Sequence, residues 1–251
     1  MTALLQVRDL SMAFGGVKVS QNISLALEPG ARVALIGPNG AGKTTFVNLV
    51  SGQLRPDAGS IAIEGADVTT LGVEARVRRG LVRTFQISRL FRDLTVLENV
   101  LLAILQRKGH ARRAWHHAHA ETAAEDEAVG ILAGLGLEDT ADRPVREIAY
   151  GQQRLVEIAI AIALRPKILL LDEPAAGVSR AESPRIIEAI AALPRDIAIL
   201  MIEHDMDLVL RWAQRVVVLA AGQVIFDGKT ADVTRDARVR EAYLGQYAGA
   251  A

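Results

Sequence analysis

The 251-residue sequence predicts an α/β fold: a buried parallel sheet flanked by helices and interrupted by a helical insertion. Three observations predict it. The first is Gly37-Pro38-Asn39-Gly40-Ala41-Gly42-Lys43-Thr44, a G-x-x-x-x-G-K-[ST] loop set between an apolar run at 33–36 and a helix-like run at 45–54. The second is Ile168-Leu169-Leu170-Leu171, an apolar run closing on Asp172-Glu173, as a strand buried on both faces would. The third is a stretch without strand signal, from 94 to about 137, in which Val96, Leu97, Val100, Leu101, Ile104 and Leu105 recur at helical spacing.

Taken in order, residues 5–8 and 23–27 alternate as strands before the Glu28-Pro29-Gly30 turn. Between them Phe14-Gly15-Gly16 places an aromatic on a loop. Such a ring can stack on a nucleobase, but by residue type alone it is expected to plug the core. In the glycine loop, tight backbone turns aim successive N–H groups at a polyphosphate, and an anion there gains from the dipole of the following helix. Lys43 supplies a point charge to the β- and γ-phosphates, and the Thr44 hydroxyl is placed to ligate Mg²⁺.

Residues 60–65 alternate like an edge strand, and 76–80 read as a short basic helix ending at a glycine. Residues 81–85 then deliver Gln86, whose carbonyl oxygen can reach a metal or a water. A second helix is expected from about 112 to 135. Within it Trp115-His116-His117-Ala118-His119 offers imidazoles at i and i+3, but no third ligand follows at persuasive spacing, so a solvated face is expected.

Residues 148–154 lead into an amphipathic helix that ends near Leu164-Arg165-Pro166. The carboxyl end of the strand at 168–171 is where ligands bind in such sheets, which puts Asp172 beside the phosphates. A further buried strand at 197–202 ends in Glu203-His204-Asp205, making His204 a candidate γ-phosphate contact. Residues 216–220 and 223–226 pair across Ala221-Gly222, and a helix is expected at 236–244.

Composition narrows the function classes. Twenty-nine acids balance 29 bases, so no bulk field draws nucleic acid or anionic lipid. Cysteine is absent, which excludes disulfides and thiolate metal sites. The first residues lack the basic and apolar regions of a signal peptide, and no apolar run approaches the ~18 residues of a membrane span. The expectation is a soluble chain whose membrane role, if it has one, runs through a partner.

The ordered set of the glycine loop, Gln86, Tyr150-Gly151-Gln152, Asp172-Glu173 and His204 resembles the nucleotide-binding subunit of ABC transporters, and the resemblance covers nearly the whole chain. It implies a P-loop NTPase core of RecA-like type with an antiparallel β subdomain, at 1–88 and 160–251, and an α-helical subdomain at 89–159. Residue by residue, it makes Phe14 the adenine-stacking aromatic and residues 37–45, from Gly37 through Lys43, Thr44 and Thr45, the phosphate cradle. Gln86 becomes the metal- and water-sensing glutamine that meets the membrane partner. Asp172 holds Mg²⁺ through water, Glu173 is the general base, and His204 contacts the γ-phosphate. The resemblance makes residues 148–152 the signature loop, which presses Tyr150, Gly151 and Gln152 on ATP bound by a second chain. ATP and Mg²⁺ are then the cofactors, and the partners are a like or unlike ABC ATPase, permease subunits and, indirectly, an external substrate-binding protein. The chain would sit in the cytoplasm, peripheral on the membrane through the permease.

Phe14-Gly15-Gly16, Arg83-Thr84-Phe85-Gln86, the stretch from Arg89 to Asn99, Glu203-His204-Asp205-Met206 and Ala242-Tyr243-Leu244-Gly245 are similar to the ATPases of branched-chain amino acid importers. Leu90 and Phe91 would form the lip of the groove that takes a permease helix. Lipopolysaccharide-export ATPases share the plan and are the nearest rival; a soluble ABC protein acting on nucleic acid or ribosomes is disfavoured by the neutral charge. Ala149 stands where the family usually has Ser, and Ser179 where it has an acid or Asn, so a catalytically weak regulatory subunit is the alternative of another class.

Overall fold

The computed structural model describes residues 3–84, 90–109, 118–179 and 181–248. The chain divides into two units, one of residues 1–83, 167–173 and 194–251, the other of 84–166 and 174–193.

The first unit opens with the hairpin β1 (Leu5–Phe14) and β2 (Val17–Leu27). Its two-residue connection, Gly15-Gly16, has φ of 53° and 88°, the positive values that a type I′ turn needs and that β-carbons oppose. Then come β3 (Arg32–Ile36), α1 (Lys43–Ser51), β4 (Ala58–Ile63), β5 (Ala66–Asp67), α2 (Val73–Arg78) and β6 (Leu81–Arg83). The chain later returns to this unit with β7 (Ile168–Asp172), β8 (Ala198–Ile202), α7 (Met206–Trp212), β9 (Arg215–Ala220), β10 (Gln223–Lys229), α8 (Thr230–Val233) and α9 (Ala237–Ala248). An antiparallel sheet has the order β2-β1-β4-β5, so residues 60–63 lie inside the sheet rather than on its edge as their alternation suggested.

The second sheet runs β10-β9-β3-β8-β7-β6, parallel except for the β9/β10 hairpin. Every residue of β3, β7 and β8 is buried, the signature of central parallel strands. Because β3, β8 and β7 are adjacent and parallel, their carboxyl ends emerge side by side. β3 leads into the glycine loop, β8 into Glu203-His204, and β7 ends at Asp172 with Glu173 next, so the pairing order itself assembles the site. Beneath them Leu35, Phe46, Leu49, Leu170 and Leu200 share one core cluster.

The second unit holds α3 (Val96–Arg107), α4 (Ala118–Gly134), α5 (Tyr150–Ala163) and α6 (Ser183–Ala191). Thr95 and Glu98 form a reciprocal capping box that starts α3: the Glu98 N–H donates to Thr95 Oγ1 at 3.1 Å and the Thr95 N–H to Glu98 Oε2 at 2.7 Å. Val96, Val100 and Ile104 are buried on α3, which packs on α4 and α5. Among the described residues no helix is long and apolar enough to cross a membrane.

Candidate nucleotide site

The glycine loop begins where β3 ends. Gly37 and Gly42 are required by close approach: a β-carbon would lie 2.1 Å from the Leu219 carbonyl oxygen at the first and 2.4 Å from the Val19 carbonyl oxygen at the second. Helix α1 starts at Lys43 behind Gly42, which supplies no capping side chain, so its first amides keep free hydrogen-bonding capacity for an anion. Thr44 is exposed in that first turn. Lys43 Nζ donates to the loop's own carbonyls, Gly37 at 2.6 Å and Pro38 at 2.9 Å. Burial pulls its pKa below the usual lysine value, against the negative fields of Glu173 and Asp172.

Asp172, the last residue of β7, is buried and receives Arg83 Nη2 on Oδ2 at 2.7 Å. Glu173 follows with φ of 47°, a left-handed conformation that costs a residue carrying a β-carbon free energy and marks a constrained position. Its N–H donates to the Ile202 carbonyl at 3.0 Å, which fixes that turn against the neighbouring strand. His204 is 68% exposed, with Nδ1 lying 3.8 Å from Glu173 Oε1 and 3.9 Å from Glu203 Oε2. The structure thus brings Lys43, Thr44, Asp172, Glu173 and His204 to the carboxyl-terminal edge of the sheet.

Phe14 is 47% exposed at the tip of its hairpin, which overturns the core-plug expectation and leaves the ring available for stacking. Gln86 lies outside the described residues, as do His116, His117 and the side chain of His119. Among the described residues no cluster of three or more His, Cys, Asp or Glu suits a metal. The oxygen donors in place are the Asp172 carboxylate and the Thr44 hydroxyl, hard ligands of the kind Mg²⁺ takes, so the site fits that ion together with a polyphosphate. Tyr243 on α9 was legible in the sequence only as part of the tail. Its half-buried hydroxyl accepts from the Gly37 amide, and burial raises its pKa.

The second unit carries the signature segment by itself. Ala149 caps α5 without a side-chain acceptor, and Gln152 Oε1 accepts from the Ala149 N–H at 3.1 Å. The exposed Tyr150 ring lies over Gly177, where a β-carbon would approach to 3.1 Å, and the Arg154 guanidinium sits 5.4 Å from the ring centroid. Gly151 is buried beside Val178 and Glu182, and Ser179 Oγ donates to Glu182 Oε2 at 2.9 Å.

A glycine loop on the central strand of a parallel sheet, an acid pair ending the strand next but one and a histidine ending the strand between them define a P-loop nucleoside-triphosphate-binding protein. Residues 20–176 match the model of the ABC transporter family, and 223–248 match that of branched-chain amino acid ATP-binding cassette transporters. The chain belongs to the ABC transporter family, whose cassettes bind and hydrolyse ATP. It is 39% identical over 250 residues to the high-affinity branched-chain amino acid transport ATP-binding protein LivG of Escherichia coli (strain K12), covering 97% of this chain and 98% of that one. With BraF of Pseudomonas aeruginosa, a protein of the same description, it shares 37% over 256 residues, at 97% and 98% coverage. Among solved structures, a nucleotide-free ATP-binding cassette from an ABC transporter superposes with TM-score 0.84 at 31% identity, covering 96% of this chain and 99% of that chain. A cassette in its ADP conformation does so with TM-score 0.85 at 31% identity, covering 98% and 100%.

Proposed function

We propose that this chain is the ATP-hydrolysing motor subunit of an ABC importer for branched-chain amino acids or similar small polar solutes. It works as a head-to-tail pair closing on Mg-ATP and acts from the cytoplasmic face through a membrane permease, which an external substrate-binding protein serves. The observation that carries the reading is the convergence of Lys43, Asp172, Glu173 and His204 at three adjacent strand ends. The substrate class rests on the names of the LivG and BraF relatives and on the matched C-terminal segment.

In this reading Phe14 stacks on the base, the amides of residues 37–45 bind the phosphates, and Lys43 leaves its loop carbonyls for the terminal phosphate. Asp172 and Thr44 hold Mg²⁺, with Gln86 the further ligand named by the family resemblance; when bound, the ion neutralises charge on the phosphate oxygens. Glu173 takes the proton of the attacking water, and His204, beside it, donates toward the phosphate. The amide end of α5, at Tyr150, Gly151 and Gln152, completes the site bound by the other chain, as an arginine finger does in other P-loop enzymes. Closure is then favoured only while the terminal phosphate bridges both chains.

The test is Glu173→Gln. ATP hydrolysis should fall to background while sizing chromatography in Mg-ATP shows a stable dimer; hydrolysis at the parental rate would remove Glu173 from the role of base. Leucine uptake into vesicles reconstituted with the cognate permease and binding protein tests the substrate class. Ala149 favours a second reading, a catalytically weak regulatory subunit, and the steady-state ATPase rate of the assembled transporter decides between them.

A further inference from the structure

Arg83 ends β6 on the edge of the parallel sheet, and its guanidinium is buried with the carboxylate it meets: the two side chains are 7% and 6% exposed. One arm, Nη2, donates to Asp172 Oδ2 at 2.7 Å. The other arm, Nη1, donates to Asn48 Oδ1 at 2.5 Å, Gln53 Oε1 at 3.2 Å and Ser51 Oγ at 3.3 Å. The planar fork therefore ties the carboxylate at the end of β7 to the helix that begins with Lys43 and Thr44. Lysine, a point charge on a flexible stem, cannot hold both directions at once.

A buried carboxylate that must present one oxygen to a cation needs its other oxygen fixed, because it otherwise turns toward whatever donor is in reach. Asp172 has that arrangement, with Oδ2 committed to Arg83. The opposite arm of the same guanidinium is anchored on α1, so one buried side chain spans from the carboxylate to the helix that carries Thr44 in its first turn.

Resting on the reading of Asp172 as the Mg²⁺-holding carboxylate, we propose that Arg83 is a positioning residue for the metal. It pins Asp172 against the P-loop helix before Mg-nucleotide arrives.

The experiment is a titration of each protein with a fluorescent ATP analogue, in EDTA and in excess Mg²⁺. The parent protein should bind more tightly with Mg²⁺; if it does not, the assignment of Asp172 itself fails. In Arg83→Met the affinity in EDTA should stay near the parental value while the Mg²⁺-dependent gain falls by about tenfold, the size typical when the partner of a metal-holding group is removed. Arg83→Lys, which keeps the charge and gives a soluble control should the methionine variant misfold, should lose part of that gain. Thermal melts complete a cycle: Arg83→Met should lower the melting temperature less in an Asp172→Asn background than in the parent. A parental Mg²⁺-dependent gain in both Arg83 variants, or an equal melting shift in both backgrounds, overturns the proposal while leaving the assignment of Asp172 intact.

Discussion

The guanidinium of Arg76 donates to the Leu49 carbonyl at 2.7 Å, beneath the last turn of the helix whose first turn carries Lys43 and Thr44. It also donates to the carbonyls of Val50 at 2.7 Å, Leu71 at 2.9 Å and Thr69 at 3.0 Å, and only 1% of the residue is exposed. Two of these oxygens belong to the end of α1, where the Leu49 carbonyl also accepts from the Gly52 N–H at 3.2 Å and a cation meets the negative end of the helix dipole. Burial pulls the Arg76 pKa down to about 10, with the charge of Asp67 opposing that shift.

Arg76→Met should therefore destabilise the protein by about 2–4 kcal/mol, since it strands several buried acceptors at once. Arg76→Lys should recover little, because one ammonium cannot span four carbonyls in different directions. Urea denaturation at neutral pH checks both. A loss under about 1 kcal/mol for the methionine variant would mean that water satisfies those carbonyls instead.

Arg76 also shows where the sequence stops being readable. Residues 76–80 read as a short basic helix ending at a glycine, and nothing in their spacing announces that one arginine turns inward under α1. The apolar runs at 33–36, 168–171 and 197–202 were readable because central parallel strands bury both faces and need no alternation. The glycine loop was readable because its geometry tolerates so few residue types. Helix α6 was missed although Ile186, Ile187 and Ile190 carry a clear apolar face behind a proline in its first turn. The exposure of Phe14, the interior place of β4 and the Tyr243 contact depend on pairing between distant segments. Local pattern carries no record of those.

Ala149 begins α5 with half of a capping box, the Gln152 side chain accepting from its N–H and no hydroxyl answering in return. Ala149→Ser should restore the missing half and stabilise the helix start by about 0.5–2 kcal/mol. The same hydroxyl can donate to a charged phosphate, an interaction of about 1.5–3 kcal/mol, so the steady-state ATPase rate of the assembled transporter should rise as well. A higher melting temperature with an unchanged ATPase rate would separate the two effects and assign the residue to helix capping alone.

Glu127 on α4 joins three segments of the helical unit. Both of its oxygens accept from Arg107 of α3, at 2.9 and 2.8 Å, and Oε1 also accepts from Arg165 Nε at 3.0 Å. Arg107 in turn donates to the Ala163 carbonyl at the end of α5, at 2.6 Å. Hydrogen bonding from Arg107 is the largest reason that the Glu127 carboxyl falls from the ordinary 4.5 to about 2 in the folded protein. A carboxylate whose folded pKa lies below its unfolded one gives its full stabilisation above the unfolded value, and loses it as pH falls toward the folded one. With the side chain 19% exposed and Arg165 largely in solvent, screening reduces the contribution to about 1–2 kcal/mol. Glu127→Gln should therefore lower the urea midpoint at neutral pH, with the gap to the parent narrowing from about pH 4.5 and closing near pH 2. A gap of constant size across that range would show that the glutamate matters for its packing rather than its charge.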